Sequence, residues 1–360
     1  MFAHGSADEP SATVMPPEWA PHDRTWMAFP PANDTFGPPG SASLGRARAA
    51  WAAVARTVAG YEPVTVAVAP EDAGTAAELL GPGVDTVEVP LDDAWLRDSG
   101  PTFVHDPHGG VAAVDWVFNG WGAQGWAAWE KDRLVGRRVA GLAGAPHVAS
   151  SLVNEGGGFH VDGAGTVLLT ETVQLDAGRN PGLTRDGVEE LLHARLGTSH
   201  AVWLPRGLTR DYDEFGTRGH VDIVASFTES GTVLLHRQDD PRHPDHEVTR
   251  HLRRVLEESV DARGNPLRVV DVPAPRTLTD EEGAFVDWSY INHYVANGVV
   301  VLCSFDDPND GAAARILAEA YPGRAVEQVD ARDVFRFGGG IHCITQQQPA
   351  PRGGAPRRGH

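Results

Sequence analysis

One of the two cysteines in this 360-residue chain lies in FGGGIHCITQQQP, residues 337–349, shortly after three glycines and next to a histidine. A cysteine acts as a nucleophile when its pKa of about 8.5 is lowered, or when a cationic substrate favours the thiolate, and when a second group moves protons. Cys303 instead lies in the apolar run VVVLCSF, which indicates a buried core thiol. Cys343 is therefore the candidate nucleophile.

The triplet HVD occurs twice, at residues 160–162 and 220–222. Because residues two apart on a strand point to the same face, each triplet can present an imidazole and a carboxylate together. With Cys343 these side chains could ligate a metal, but the sequence lacks the tight HExxH or CxxC spacing of such sites. Alternatively, one histidine is a general acid and base beside a carboxylate that binds a cation. The second triplet favours that role, whereas Asp162 followed by glycine is typical of a turn.

Two further segments combine carboxylates with features that suit a flat cation. DDAWLRDSGPTFV, residues 92–104, places Trp95 three residues before Asp98, and an aromatic face with a carboxylate suits a guanidinium. In NEGGGFH, residues 154–160, Glu155 precedes three glycines, which allow a close approach of backbone or ligand. Neither glycine run matches the phosphate-binding patterns GxxxxGK[ST] or GxGxxG, so a nucleotide site is not indicated.

The elements that must position these residues alternate along the whole chain. Strands are predicted at the β-branched runs 63–68, 166–171, 232–236, 267–272 and 299–305. Helices are predicted around the apolar stripes within 44–58, 188–196, 252–256 and 313–321. For the second helix, Asp186 and Glu189 have the spacing of a capping pair. This alternation predicts an α/β protein.

Composition and charge argue against several classes of partner. The formal charge of -19 is unfavourable for binding nucleic acid, whose phosphates require a basic surface, and favours the approach of cations. No apolar run approaches the roughly 20 residues of a membrane span, and the first fifteen residues lack the features of a secretion signal. The sequence therefore predicts a cytoplasmic protein that binds neither nucleic acid nor membranes. A homo-oligomer is compatible with it.

Six motifs together resemble one known family. WLRDSGPTFV, NEGGGFHVDGAGTVLLT, GRNPG, GHVDI, SYINHYVANG and GGGIHCITQQQP occur in the order found in the agmatine deiminases, members of the guanidine-modifying superfamily called penteins. The resemblance extends from residue 15 to residue 349. It implies a pentein fold, a five-bladed α/β propeller with pseudo-fivefold symmetry, formed by a single catalytic domain over residues 15–349. Residues 1–14 are then expected to be a flexible arm, and residues 350–360 a disordered basic tail.

The same resemblance assigns a role to each candidate residue. Cys343 matches the nucleophile, and His220 matches the acid and base. Asp98 and Asp222 match the carboxylates that hold the guanidinium. Trp95 is expected beside the substrate on separate grounds, because an aromatic face suits a planar cation. Glu155 matches the glutamate that supports the histidine or the substrate. The reaction implied is hydrolysis of agmatine to N-carbamoylputrescine and ammonia through an amidino-cysteine, with no metal and no other cofactor.

The sequence departs from the family where the far end of the substrate is expected. The loop 206–219 is longer than usual, GGGIHC lacks an asparagine, and His293 replaces an aromatic residue. Three acidic residues of that loop could pair with a distal amine of the substrate: Asp211, Asp213 and Glu214. Three arginines of the same loop could instead pair with the carboxylate of free arginine: Arg206, Arg210 and Arg218.

Several functions therefore remain as alternatives at this stage. The first is a deiminase of free or peptidyl arginine. A metal-dependent hydrolase built on the two HVD triplets is the second, and a non-catalytic protein that only binds guanidines is the third. The small cationic guanidine is the expected ligand in the first and third cases.

Overall fold

The structure is a computed structural model that describes residues 13–354. Its strands are, in chain order, β1 (His22–Ala28), β2 (Val64–Val68), β3 (Asp85–Glu88), β4 (Thr102–His105), β5 (Val111–Val117), β6 (His147–Val153), β7 (Phe159–Val161), β8 (Thr166–Thr170), β9 (His200–Leu204), β10 (Ala225–Glu229), β11 (Thr232–Arg237), β12 (Arg268–Pro273), β13 (Tyr294–Ala296), β14 (Val299–Ser304), β15 (Ala325–Asp330) and β16 (Thr345–Pro349).

Helices lie between these strands. They are α1 (Ala42–Ala59), α2 (Ala73–Leu80), α3 (Leu96–Ser99), α4 (Gly120–Ala123), α5 (Val135–Leu142), α6 (Glu171–Gln174), α7 (Arg185–Leu196), α8 (Asp245–Glu257), α9 (Asp310–Ala320) and α10 (Arg332–Phe335). Single 3-10 turns occur at Pro70–Asp72, Asp132–Leu134, Gly156–Gly158, Arg210–Tyr212 and Val221–Ile223.

The strands form five small mixed sheets that share one pairing pattern. In each, a central strand pairs antiparallel with one neighbour and parallel with the other. Their orders are β16-β1-β2-β3, β4-β5-β6, β7-β8-β9, β10-β11-β12 and β13-β14-β15. A parallel neighbour requires a crossover, and a helix lies in the connection that leads to it in each sheet. The fold is therefore mixed α/β, as predicted.

All five predicted strands and all four predicted helices are present, because their apolar periodicity corresponds to buried faces. In α1, Leu44, Trp51, Val54 and Val58 are buried, and burial of each such side chain contributes about 1.5–3 kcal/mol. The predicted capping of α7 is wrong. Thr184 is the N-cap, and its side chain accepts a hydrogen bond from the Gly187 backbone N–H.

The two ends of the described chain meet. The last strand, β16, pairs with β1 across nearly the whole sequence. Val14 forms a bridge with His105, and the Ala350 N–H donates to the Pro21 carbonyl at 2.8 Å. The disorder expected for residues 350–360 stays a prediction. The remainder of the predicted arm, residues 1–12, and of the predicted tail, residues 355–360, lies outside the described residues.

The connections that enter the five sheets position the candidate residues. A short turn precedes the antiparallel outer strand of each sheet: α3 before β4, Gly156–Gly158 before β7, Val221–Ile223 before β10, residues 289–293 before β13 and residues 341–344 before β16. Asp98, Glu155, Asp222 and Cys343 lie in or next to four of these turns. Four of five equivalent places in the topology therefore carry candidate residues.

No helix in the described part of the chain combines the length and the apolar composition that a lipid bilayer crossing requires.

Candidate active site

The structure brings the predicted residues together in one buried cluster. The Cys343 S–H lies 3.5 Å from Asp222 Oδ2. His220 Nε2 lies 3.2 Å from Glu155 Oε2, and its Nδ1 lies 3.8 Å from Asp98 Oδ2. Each of the five side chains is at most 4% exposed. The sulfur, the imidazole and three carboxylates thus share one small site.

Gly157 lies at the point where these side chains converge. A Cβ atom added to it would lie 2.6 Å from His220 Nδ1 and 3.0 Å from both Asp222 Oδ2 and Asp98 Oδ1. Its backbone N–H donates to Asp98 Oδ1 at 3.0 Å. Any larger residue would therefore push His220 and the two carboxylates apart. The glycine after Glu155 and its neighbour are therefore explained by crowding within the protein: Gly157 has no room for a side chain.

The glycines before Cys343 are explained in the same way. A Cβ atom on Gly339 would lie 3.0 Å from the Cys343 sulfur and 2.9 Å from the Trp95 ring. Gly338 has a φ of +117°, and a Cβ atom there would lie 2.5 Å from the Phe215 carbonyl oxygen. The backbone reaches Cys343 only because both positions lack a side chain.

Asn292 is a neighbour of the sulfur that the sequence analysis did not identify. Its side-chain amide donates to Cys343 Sγ at 3.2 Å, and its Oδ1 accepts from the His342 N–H at 3.0 Å. Asn292 lies within the motif SYINHYVANG, but the motif alone does not indicate that this residue contacts the sulfur. Burial, with the charges of Asp222 and Asp98, holds the pKa of the Cys343 thiol well above its ordinary value, and Asn292 opposes that shift.

Cys303 behaves as the sequence predicted. Its side chain is fully buried in β14, and its S–H donates to the Asn292 carbonyl at 3.1 Å. Burial raises its pKa to about 12. This cysteine is therefore a protonated core thiol, and Cys343 is the thiol that reaches the cavity.

His220 lies between two carboxylates, and a buried arginine fixes one of them, Glu155. Arg179 Nε donates to both oxygens of Glu155 at 3.0 Å, and its Nη2 donates to the Thr217 carbonyl at 2.7 Å. Burial alone would lower the pKa of His220, but the charge of Asp98 and the hydrogen bond to Glu155 raise it to about 9. Burial would raise the pKa of Glu155, but Arg179 and His220 keep it below its ordinary value. The site therefore holds an imidazolium beside ionised Glu155.

Asp98 and Asp222 have different surroundings. Asp98 Oδ2 accepts from Trp121 Nε1 at 2.9 Å, and burial, partly offset by His220, raises its pKa to about 6. Asp222 Oδ2 accepts from His342 Nδ1 at 2.8 Å. Burial would raise the pKa of Asp222, but His342 holds it below its ordinary value. Both carboxylates are therefore ionised at neutral pH.

Aromatic rings form the walls of the cavity. It is lined by Trp95, Asp98, Trp121, Trp126, Phe215, Thr217, Gly338 and Cys343. Trp121 stacks on Trp126 with ring centroids 5.2 Å apart, and Phe215 meets Trp126 edge-on at 5.3 Å. Trp95 and Asp98 were predicted, whereas Trp121, Trp126 and Phe215 were not. Their sequence surroundings, NGWGAQGW and DEFGT, contain no pattern beyond turn residues.

Asp211, one of the three acidic residues that could pair with a distal amine of the substrate, does not line the cavity. It is buried, and its carboxylate accepts from the Thr217 and Gly219 N–H groups and from the His220 N–H at 3.0 Å. It therefore stabilises the loop that carries His220. Asp213 and Glu214 are exposed and do not line the cavity.

The three arginines of the same loop do not line the cavity either. Arg206 lies over the Tyr212 ring, Arg218 pairs with Asp176 at 3.4 Å, and Arg210 pairs with Asp280 at 2.6 Å. Arg210 belongs to a larger surface cleft that none of the five clustered residues lines. The predicted interaction with a substrate carboxylate therefore has no support from this geometry.

The second HVD triplet is not a strand. His220 precedes the 3-10 turn Val221–Ile223, and this turn, not strand alternation, brings His220 and Asp222 to the same cavity. The first triplet does use β7, but Asp162 accepts from the Ala164 and Thr166 N–H groups, as predicted for a turn. His293 is buried and bonded to Tyr290 and Tyr321, away from the cavity.

The predicted metal site of two HVD triplets and Cys343 is not assembled. In residues 13–354, one group of three potential ligands lies together, namely Glu18, His160 and His342, with ligand atoms within 4.8 Å of one another. Both nitrogens of His342 already contact carboxylates. Arg97 Nη1 lies 3.5 Å from Glu18. A guanidinium beside the carboxylate competes with a divalent cation, so the group is better explained as a hydrogen-bonded ion network.

Comparison with known proteins agrees with this site. Residues 14–349 match the family of Porphyromonas-type peptidyl-arginine deiminases. A provisionally named agmatine deiminase of Streptomyces coelicolor is 62% identical over 335 residues, which cover 93% of this chain and 98% of the relative. The agmatine deiminase of Stutzerimonas stutzeri is 40% identical, with coverage of 94% and 95%. The chain belongs to the agmatine deiminase family.

A solved structure of the agmatine deiminase family has the same fold. The agmatine deiminase of Enterococcus faecalis superimposes with a TM-score of 0.87 at 31% identity, and the match covers 96% of this chain and 98% of that one. The family match, residues 14–349, coincides with the extent of the resemblance seen in the sequence. Agmatine deiminase family membership makes this chain a hydrolase that acts on the C–N bond of a guanidine.

Proposed function

We propose that this protein hydrolyses agmatine to N-carbamoylputrescine and ammonia, with Cys343 as the nucleophile. The observation that carries the proposal is the convergence of His220, Asp98 and Asp222 at Gly157, with the Cys343 sulfur 3.5 Å from Asp222 Oδ2. Asp98 and Cys343 line an adjoining cavity with aromatic walls. A guanidinium is flat, cationic and weakly electrophilic, so it must be both held and polarised before a sulfur can attack its carbon.

The two carboxylates hold the substrate. Asp98 and Asp222 approach the same point from opposite segments of the chain, and a guanidinium donates in-plane hydrogen bonds that match carboxylate oxygens. Asp222 Oδ1 and His220 Nδ1 are buried and have no hydrogen-bond partner among the described residues. In the proposed complex both are within reach of substrate nitrogens.

Binding of the cation also activates the thiol. Asp222 and Asp98 raise the pKa of Cys343, and the positive charge of the substrate offsets their effect. The thiol proton is released to solvent, and the Asn292 amide donates to the resulting thiolate. Sulfur then bonds to the guanidinium carbon, giving a tetrahedral intermediate. His220 protonates one terminal nitrogen, the C–N bond breaks and ammonia leaves.

In the second half of the reaction His220 changes from proton donor to proton acceptor. The amidino-cysteine is attacked by water, and the now neutral His220 accepts the proton of that water. As the C–S bond breaks, the remaining hydroxyl proton is lost to solvent and the C=O bond forms, so the thiolate is restored and the carbamoyl product leaves. Glu155, held by Arg179, keeps the imidazole oriented and stabilises its charged form. Metals and other cofactors play no part in the proposed steps.

The cavity favours a substrate with an amine, rather than an amino acid, at its far end. The described residues that line it include four aromatic rings and one carboxylate, and no lysine or arginine. Aromatic faces attract an ammonium by cation–π interaction, worth about 0.5–2 kcal/mol. The carboxylate of free arginine would meet no cationic partner there. This supports agmatine over free arginine.

Turnover of three guanidines tests the proposal. Ammonia release should be measured side by side on agmatine, free arginine and an arginine-containing peptide. We expect kcat/KM for agmatine to exceed that for arginine by at least about 100-fold, because an unpaired carboxylate would be desolvated in the cavity. A preference for arginine or for the peptide would overturn the substrate assignment. N-carbamoylputrescine in the agmatine reaction identifies which bond was broken.

The pH dependence of kcat/KM follows from three groups of the free enzyme. Burial raises the pKa of Asp98 to about 6, so its carboxylate is present above that pH and cation binding is lost as pH falls through about 6. The Cys343 thiol, whose pKa burial holds well above its ordinary value, must also lose its proton, and His220, whose pKa is raised to about 9, must keep its proton to donate it to the leaving nitrogen. We expect kcat/KM to rise with pH up to about 9, with a steeper acidic limb below about 6. A profile that does not steepen below pH 6 would contradict the role of Asp98, and one that falls between pH 6 and 9 would contradict the release of the thiol proton.

The five sheets also support a finer architecture. We infer that residues 15–349 form one catalytic domain in which each sheet is a blade of a five-bladed α/β propeller. The shared pairing pattern of the sheets and the equivalent positions of the site residues before the outer strands support this inference.

A further inference from the structure

We propose that His342 and Glu18 are positioning residues that hold the Asp222 carboxylate in the orientation needed to bind the guanidinium. The inference rests on the proposed deiminase function. It concerns the residue next to the nucleophile and a residue 324 positions away in sequence, neither of which was identified as part of the site from the sequence.

His342 bridges two carboxylates. Its Nδ1 lies 2.8 Å from Asp222 Oδ2, and its Nε2 lies 2.7 Å from Glu18 Oε1. An ionised carboxylate only accepts hydrogen bonds, so both ring nitrogens must carry a proton. His342 is 2% exposed, so solvent cannot replace either partner. The imidazolium is therefore fixed at both ends.

Glu18 is itself fixed by Arg97 and His160. Arg97 Nη1 lies 3.5 Å from its Oε1, and His160 Nε2 lies 3.5 Å from its Oε2. The charged groups that face His342 are therefore Asp222, Glu18 and Arg97, with the His160 ring 6.3 Å away between centroids. Burial and Arg97 favour the neutral form, but the two carboxylates raise the pKa of His342 above its ordinary value.

Because of this bridge, the two carboxylate oxygens of Asp222 have different roles. Oδ2 is occupied by His342 and lies next to the Cys343 sulfur, while Oδ1 has no hydrogen-bond partner among the described residues. Rotation of the carboxylate would break the bond to His342, so Oδ1 stays directed away from it. His342 thus determines which oxygen meets the substrate and keeps Asp222 ionised.

Two substitutions of His342 separate this role from mere structure. In His342→Asn the side-chain amide lies near the position of Nδ1 and can still donate to Asp222. In His342→Gln the amide lies near the position of Nε2, so the bond to Glu18 is kept and that to Asp222 is lost. We expect His342→Gln to lower kcat/KM on agmatine by roughly 10- to 100-fold, the size of a lost hydrogen bond to a charged group, and His342→Asn to stay within about fivefold of wild type.

The acidic limb of the pH profile is the second readout. Without the His342 imidazolium, burial is less strongly opposed and the pKa of Asp222 rises, so Asp222 adds to Asp98 in setting the acidic limb, which in His342→Gln should become steeper and move to higher pH. His160→Gln is the matched control, since it removes a buried imidazole that contacts Glu18 but not Asp222, and its acidic limb should not move. Equal losses in both His342 variants, or an unmoved limb in His342→Gln, would overturn the inference.

A measurement on the wild-type protein decides the matter if the variants do not fold. Nitrogen NMR of His342 at pH 7 should show a proton on both ring nitrogens, and a single protonated nitrogen would overturn the bridge. Failure of the proposed deiminase function can be distinguished from failure of the inference about His342. It would appear as absence of agmatine turnover by the wild type, whereas turnover by the wild type with an unaffected His342→Gln variant would refute the inference alone.

Discussion

Cys343→Ala is expected to reduce agmatine turnover by at least about 10⁴-fold, the size of effect seen when an enzyme loses its covalent nucleophile. Alanine removes the atom that bonds to the guanidinium carbon. The two carboxylates stay in place, so the variant should still bind agmatine. The measurement is single-turnover ammonia release together with calorimetric binding of agmatine.

Cys303→Ala is the matched control for this prediction. Cys303 is the other buried cysteine, and its sulfur contacts the Asn292 carbonyl rather than the cavity. We expect it to lose stability, since a buried side chain is truncated, but to keep kcat/KM within about threefold. Mass spectrometry of wild-type enzyme quenched during turnover should place an amidino adduct on Cys343. An adduct on Cys303, or substantial activity in Cys343→Ala, would refute the mechanism.

Asp98→Asn is expected to lower kcat/KM by about 10³-fold, corresponding to about 4 kcal/mol, as when one partner of a buried charge pair is lost. The change removes the charge that faces the substrate cation. It also leaves the side chain unable to accept at both oxygens, although the Gly157 N–H and Trp121 Nε1 both donate to it. Steady-state kinetics on agmatine between pH 6 and 9 measures this loss.

Asp93→Asn provides a control from the same segment. Asp93 is also buried, but its carboxylate accepts from the Ala94 N–H and the Thr35 hydroxyl outside the cavity. Burial raises its pKa to about 7, so an amide mimics its neutral form. We expect kcat/KM within about threefold of wild type. Comparable losses in both variants would show that the effect of Asp98 comes from packing rather than from its charge.

The secondary structure was predictable to the extent that it depends on local periodicity. The β-branched runs became β2, β8, β11, β12 and β14, because alternating or continuous apolar residues must be buried wherever the strand lies. The repeated pairing of the five sheets was not visible, because it is a property of which strands meet. Asp186 also fits the sequence pattern of a capping pair, but the N-cap of α7 is Thr184, two residues earlier, and the helix begins at Arg185.

The candidate site was predictable where motifs carry chemistry. Cys343, His220, Asp98, Asp222 and Glu155 were selected before any geometry, and the structure brings them together. The partners that hold them were missed: Asn292, Arg179, His342 and Glu18. Each is of an unremarkable residue type in its own segment. Only contact with a residue up to 324 positions away distinguishes it.

The sequence alone determined which reactive groups exist, which apolar segments form strands and helices, and the family to which the motifs point, because these depend on residue type and on neighbours within a few positions. The tertiary structure decided the charge of each group and its orientation. The pKa of a buried side chain depends on desolvation and on charges within a few ångströms, and here those charges come from four separate segments of the chain.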